Sequence, residues 1–220
     1  MSIAPSLLNA SILEIKDLFN ILEEKNIDYL HIDVMDGCFV PDMAFGPSFI
    51  KDIRPFTDVV FDVHLMIETP EKIVKKFVEA GADIVTFHIE ATNHAMRVIQ
   101  MVKEAGAKVG ITFNPATPVS FIEPILSVVD QVLVMTINPG TENKHFILET
   151  VSKIEQLDLL RKKNNYRYVI EVDGKIDNQT IKTCKKAGAD IFVSGGYIFN
   201  GEDNPREQIN KLYQSLEEVR

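Results

Sequence analysis

The chain has 220 residues, 45% of them hydrophobic, enough for a sizeable core; residues 1–220 are expected to form one domain. With 23 Lys and Arg against 32 Asp and Glu, the net charge of −9 argues against nucleic acid or an anionic membrane as the main partner. The N-terminus has no basic region leading into an apolar run, and no stretch is apolar for long enough to span a bilayer, so a cytoplasmic protein is expected.

Short runs rich in Val, Ile and Phe alternate with amphipathic segments along the whole chain. In order, the predicted elements are strand 3–8, helix 11–25, strand 29–34, a short helix around 47–53, strand 59–66 and helix 70–80. Strand 84–89, helix 93–105, strand 108–113, a short helix around 118–126 and strand 131–137 follow. Helix 146–163, strand 168–173, helix 178–187, strand 191–195 and helix 204–218 complete the series. Glycine stops at Gly81, Gly106 and Gly188 separate helices from the next strand. Near-continuous apolar strands are those buried on both faces, and eight strand–helix units in this length predict an α/β fold, a single (β/α)8 TIM barrel. An open doubly wound sheet is the alternative, but no Gly-x-Gly-x-x-Gly follows the first strand. Cys38 and Cys184 form no Cys-x-x-Cys pair and read as reduced thiols, Cys38 as a small filler.

Several of these strands end in polar residues. His31 and Asp33 lie two apart and share a face, and His64 and Asp173 end two other strands in the same way. Strand ends at the C-terminal mouth of a barrel carry the chemistry, and Ser6, His88, Glu90, Asn114 and Asn138 also fall at such ends. Taken singly, each histidine is more often a hydrogen-bonded core residue and each Asp before Gly a turn former. Four such groups on one rim reverse that balance, because uncompensated carboxylates near a core are costly to bury. A divalent cation held by His31, Asp33, His64 and Asp173 resolves the cost and leaves carboxylates in place to move protons. Met35, Met66 and Met135 also recur at strand ends; they read first as flexible packing residues, and alternatively as polarizable walls around a charged intermediate. His94 and His145 are expected on the surface.

The runs Ile3-Ala-Pro-Ser-Leu-Leu8, His31-Ile-Asp-Val-Met-Asp-Gly37, Phe39-Val-Pro41, Phe45-Gly-Pro47, Asp62-Val-His-Leu-Met66, Asn114-Pro-Ala-Thr-Pro118, Met135-Thr-Ile-Asn-Pro-Gly140 and Glu171-Val-Asp-Gly174 stand in order along the chain. Together they resemble the ribulose-phosphate 3-epimerase family, including allulose-6-phosphate 3-epimerase, over nearly the whole length. Barrels of the orotidine decarboxylase type would show Asp-x-Lys-x-x-Asp in place of the His31-Ile-Asp33 strand, and that signature is absent. The resemblance implies one divalent metal, zinc or a substitute such as iron, manganese or cobalt, bound by His31, Asp33, His64 and Asp173. It implies that Asp33 and Asp173 move protons on opposite faces of a small-molecule ketose phosphate, with Ser6 and His64 near the reacting carbons and Met35, Met66 and Met135 lining the intermediate. It also suggests a homo-oligomer.

Two departures from the family pattern fall at the substrate's distal end. Where the family continues Asn-Pro-Gly-Phe-Gly-Gly-Gln, this chain reads Asn138-Pro-Gly140-Thr-Glu-Asn-Lys144, and Lys175 stands where a Gly commonly follows Val-Asp-Gly. Gly140, Gly174, Gly195 and Gly196 remain as backbone contacts for a phosphate, with Lys175 and Lys144 as candidate cations. The reading is therefore 3-epimerisation of D-ribulose 5-phosphate to D-xylulose 5-phosphate. Alternatives are the same chemistry on allulose 6-phosphate or another ketose, and a catalytically weak, sugar-phosphate-binding regulatory paralogue.

Overall fold

β-branched side chains favour strands that pack on both faces. Among the described residues nine form: β1 (Ser2–Pro5), β2 (Tyr29–Asp36), β3 (Met43–Ala44), β4 (Val60–Met66), β5 (Ile84–His88), β6 (Lys108–Phe113), β7 (Gln131–Met135), β8 (Val169–Asp173) and β9 (Ile191–Ser194). This is a computed structural model, and it describes residues 1–141 and 145–219. All the strands except β3 pair in parallel, in the order β1-β9-β8-β7-β6-β5-β4-β2. A parallel bridge between Ser6 and His31 joins the two ends and closes the ring as a (β/α)8 barrel. The short β3 pairs antiparallel with the end of β2 and stands outside that ring; two residues are too few to show a strand period in sequence.

The helices are α1 (Ile15–Glu24), α2 (Pro47–Ile53), α3 (Val74–Glu79), α4 (Ala95–Ala105), α5 (Val151–Asn164), α6 (Thr180–Ala187) and α7 (Pro205–Glu217). An eighth helix is expected around 118–126, but the chain forms two 3-10 turns there, Val119–Phe121 and Glu123–Ile125. Pro124 lacks the N–H that an α-helix needs at that point. The 70–80 segment likewise splits, into a 3-10 turn at Pro70–Lys72 and α3. The first strand stops at Pro5 rather than Leu8, because the Ser6 hydroxyl accepts the Leu8 N–H and starts a 3-10 turn. As anticipated, Gly81, Gly106 and Gly188 all follow helices with φ near +100° (98–110°), a conformation that costs glycine little. Among the described residues no helix is long and apolar enough to cross a membrane.

Alternation along the strands decides what faces the barrel axis. Leu30, Ile32 and Val34 of β2 join the same core cluster as Leu18 and Leu22 of α1, so His31, Asp33 and Met35 point to the other face. Phe61, Val63 and Leu65 do the same for Asp62, His64 and Met66, as Ile170 and Val172 do for Glu171 and Asp173. At the opposite ends of the strands, carboxylates close the backbone ladder. Asp83 accepts the Phe61 N–H, Asp130 the Val109 N–H and Asp190 the Ile170 N–H, at 2.8, 2.9 and 2.8 Å. Arg161 of α5 then ties Asp190 to Asp158 and to the Gly188 carbonyl. Charge is thus used for structure at one rim of the barrel, which leaves the other rim for a site.

Candidate active site

At the C-terminal rim the register sets Asp33 beside His64, and the closing bridge sets His31 beside Ser6. Asp33 Oδ1 lies 3.4 Å from His31 Nε2 and 3.2 Å from His64 Nδ1, while its Oδ2 accepts a 2.7 Å hydrogen bond from the Ser6 hydroxyl. Asp173, from the end of β8, completes the group: one donor atom from each of His31, Asp33, His64 and Asp173 lies within 4.8 Å of all the others. Both imidazoles are fully buried, and His31 Nε2 has no hydrogen-bond partner among the described residues although it faces this cluster. Two imidazole nitrogens and two carboxylate oxygens converging on one point are a donor set that fits a divalent cation.

A second acidic group lies deeper. The His31 Nδ1 faces Asp62 Oδ2 at 3.5 Å and Glu171 Oε1 at 3.4 Å, and the Gln131 amide donates to both acids, at 2.9 and 2.7 Å. Burial and the Asp62 charge push Glu171 well above the usual carboxylate range. Asp62 is pulled below it, because His31, Glu171 and Gln131 overcome the cost of burial, so of the two acids Asp62 is the readier to carry the charge. Burial likewise opposes the Asp33 charge, yet His31 and His64 hold its carboxyl well below the ordinary value. Burial also works against charging His31, and Asp33 and Glu171 outweigh it to raise that pKa. Asp62 and Glu171 are functional neighbours that the sequence reading passed over. The signal was there: each stands two residues before a site residue, His64 or Asp173, and so shares its face. Gln131 had no such signal: β7 pairs with β8, but only barrel closure brings it across to Asp62 on β4.

Above the four donors opens a cavity of about 340 Å³. Ser6, Asp33, Met35, Met66, Met135 and Asp173 line one part of it; Gly140, Gly174, Lys175, Gly195 and Gly196 line another. All three methionines are buried and border the cavity. Asn9, Asp177 and Tyr197 also line it and were not anticipated. Gly195 is required by close approach: a Cβ there would meet Asn9 Oδ1 at 2.1 Å. Gly174 (φ +121°) abuts Ile137, and the next residue, Lys175, adopts φ +53° with an exposed side chain. Lys144 and Glu142 lie outside the described residues. His88, at the end of β5, is fully buried with its Nε2 2.9 Å from His64 Nε2; burial lowers its pKa to about 4. His94 and His145 are exposed, as expected. Cys38 is not a filler: it is exposed, because the Asp36 carboxylate accepts the N–H groups of Cys38 and Phe39 and turns the loop outward.

Residues 2–199 match the ribulose-phosphate 3 epimerase family. The chain is 44% identical over 200 residues to the ribulose-phosphate 3-epimerase of Treponema pallidum, covering 91% of this chain and 92% of that one. The chain belongs to this family. Its Bacillus subtilis relative of the same name is 39% identical over 213 residues, with 96% and 98% covered, and that of Escherichia coli K12 is 36% identical over 218, with 99% and 96% covered. Among solved structures, 3-hexulose-6-phosphate synthase from Salmonella typhimurium superposes with a TM-score of 0.75 at 19% identity, all of both chains being covered. That likeness concerns the barrel alone. The members named here are epimerases, isomerases acting on carbohydrates, and the chain is an enzyme of that class.

Proposed function

We propose that the chain is a metal-dependent 3-epimerase that interconverts ribulose 5-phosphate and xylulose 5-phosphate. The observation that carries this reading is the pair of carboxylates, Asp33 and Asp173, that line the cavity and lie with two buried imidazoles in one cluster, all four donors within 4.8 Å. Inversion at a carbon beside a ketone requires loss of a weakly acidic proton and its return from the other face. A single acid/base group could only return the proton to the side it left. Asp33 stands on β2 and Asp173 on β8, with β1 and β9 between them, so the two carboxylates reach the cavity from different parts of the ring. The ionised carboxylate takes the C3 proton, the protonated one delivers a proton to the opposite face, and the roles exchange in the reverse direction. Held by His31, Asp33, His64 and Asp173, a divalent cation such as zinc supplies Lewis-acid stabilisation of the charge that develops on the oxygens next to the reacting carbon.

The remaining residues position and protect. The Ser6 hydroxyl fixes Asp33 Oδ2, which leaves Oδ1 toward the imidazoles. Met35, Met66 and Met135 give the reacting carbons an apolar wall that keeps water from quenching the carbanionic species. For the phosphate, the loops after the seventh and eighth barrel strands supply Gly174, Lys175, Gly195 and Gly196, the usual position in this fold. The names of the relatives favour ribulose 5-phosphate over allulose 6-phosphate. The test is incubation with ribulose 5-phosphate and zinc in deuterated water. Xylulose 5-phosphate should form with deuterium at C3, Asp173→Asn should lose about 10²–10⁴-fold in rate, and unphosphorylated ribulose should turn over far more slowly. Undiminished C3 exchange in Asp173→Asn would refute the two-carboxylate mechanism.

A further inference from the structure

The two imidazoles of the site turn different nitrogens toward it. His31 presents Nε2 to Asp33, whereas His64 presents Nδ1, at 3.4 and 3.2 Å. The back of His64 is occupied by a second histidine: His64 Nε2 and His88 Nε2 are 2.9 Å apart, both rings fully buried and nearly stacked. Two nitrogens at that distance must share one hydrogen, with one N–H and one lone pair. A neutral imidazole has a single N–H. If His64 Nδ1 is to offer a lone pair to a cation, its hydrogen must sit on Nε2 and be donated to His88 Nε2. The hydrogen of His88 is then on Nδ1, where the facing carboxylate is Glu90, its Oε2 3.5 Å away, long for a hydrogen bond but with no other acceptor for that nitrogen among the described residues.

Glu90 is itself held. Its Oε1 accepts the Asn114 N–H at 2.8 Å and the Thr117 hydroxyl, and Lys153 Nζ bonds the Pro115 and Thr117 carbonyls of the same loop at 2.6 Å each. Phe39 packs on the His88 ring with centroids 4.5 Å apart, so the ring cannot swing away from His64. This is more order than a filler histidine needs, and it runs in one direction, from a fixed carboxylate through two imidazoles to the cavity.

We propose that His88 and Glu90 are positioning residues for metal binding. Together they lock His64 in the tautomer that offers Nδ1 to the cation and raise its strength as a ligand. The proposal rests on the metal-site reading above and extends it to residues that touch neither metal nor substrate. Outer partners of this kind commonly change metal affinity by about 10–100-fold.

The experiment titrates zinc into metal-free full-length protein against a competing chelator, for wild type, His88→Leu, His88→Gln and Glu90→Gln. Zinc affinity should fall about 10–100-fold in His88→Leu. It should recover largely in His88→Gln, whose amide oxygen can still accept from His64, and fall less in Glu90→Gln. Thermal midpoints of the metal-free proteins separate lost ligation from general damage, and Glu90→Gln keeps the test open if His88→Leu does not fold. In zinc-loaded, ¹⁵N-histidine-labelled wild type, the His64 hydrogen should be on Nε2 and the His88 hydrogen on Nδ1. Unchanged zinc affinity in the folded variants, or zinc on Nε2 of His64, would overturn the proposal while leaving the metal site standing. A wild-type protein that binds no zinc would overturn both.

Discussion

Gln131 is the one amide between two buried acids, and replacing it should be costly. In Gln131→Leu the volume is nearly kept, but the donors to Asp62 (2.9 Å) and Glu171 (2.7 Å) are lost. All three side chains are essentially without solvent exposure, at 1%, 0% and 0%, so water cannot replace those bonds. A hydrogen bond to a charged group contributes about 1.5–3 kcal/mol and one to a neutral group about 1 kcal/mol. Taking one charged and one neutral acceptor, the sum is about 2.5–4 kcal/mol, overlapping the ~3–5 kcal/mol found when a buried charge loses its partner. The assay is urea unfolding of the metal-free protein followed by circular dichroism, with the shift in midpoint multiplied by the wild-type slope. Adding Glu171→Gln to Gln131→Leu returns an N–H donor beside Asp62 and should recover part of the loss. A single variant destabilised by less than about 1 kcal/mol would show that the acids do not depend on this amide, and the charge assignment would fall with it.

Lys175→Gly relieves a non-glycine residue at φ +53° and should stabilise the protein by about 1 kcal/mol, while raising KM for ribulose 5-phosphate more than for unphosphorylated ribulose. An equal change in both KM values would remove Lys175 from the phosphate site. Asp36 accepts N–H bonds from Cys38, Phe39 and Glu68, which outweigh burial and hold its pKa low. Its contribution is therefore present above the unfolded carboxylate pKa of about 3.9 and is lost as pH falls through the lower folded value. The stability gap between wild type and Asp36→Asn should shrink on acidification below about pH 4 in parallel urea titrations, and a gap that widens there would reverse the assignment. Tyr168→Phe removes the 2.7 Å bond from the phenol to the buried Leu157 carbonyl and should cost about 1 kcal/mol. In the wild type, absorbance titration should find that phenol ionising late, because burial pushes it up to about 12.

The local alphabet of this chain determined a good deal. Apolar strands alternating with glycine-stopped amphipathic segments dictate parallel β/α units, because backbone period and side-chain period must agree. His31-Ile-Asp33 and Phe61-Asp-Val-His64 put candidate metal donors on single faces for the same reason. Where the rule was local, the structure follows it. Where a short-range feature competed, it does not: Pro124 breaks one expected helix into 3-10 turns, and the Ser6 hydroxyl ends the first strand early.

Only the tertiary structure could decide which of these faces meet. The bridge from Ser6 to His31 closes the ring, and closure sets Gln131 between Asp62 and Glu171, while the pairing of β4 with β5 sets His88 behind His64. Those contacts join residues up to 69 positions apart, so no window of sequence contains them. The types of group available to the site are written along the chain. Which nitrogen of His64 faces Asp33, and which acid beneath His31 is the harder to ionise, follow from distances that exist only once eight strands share an axis.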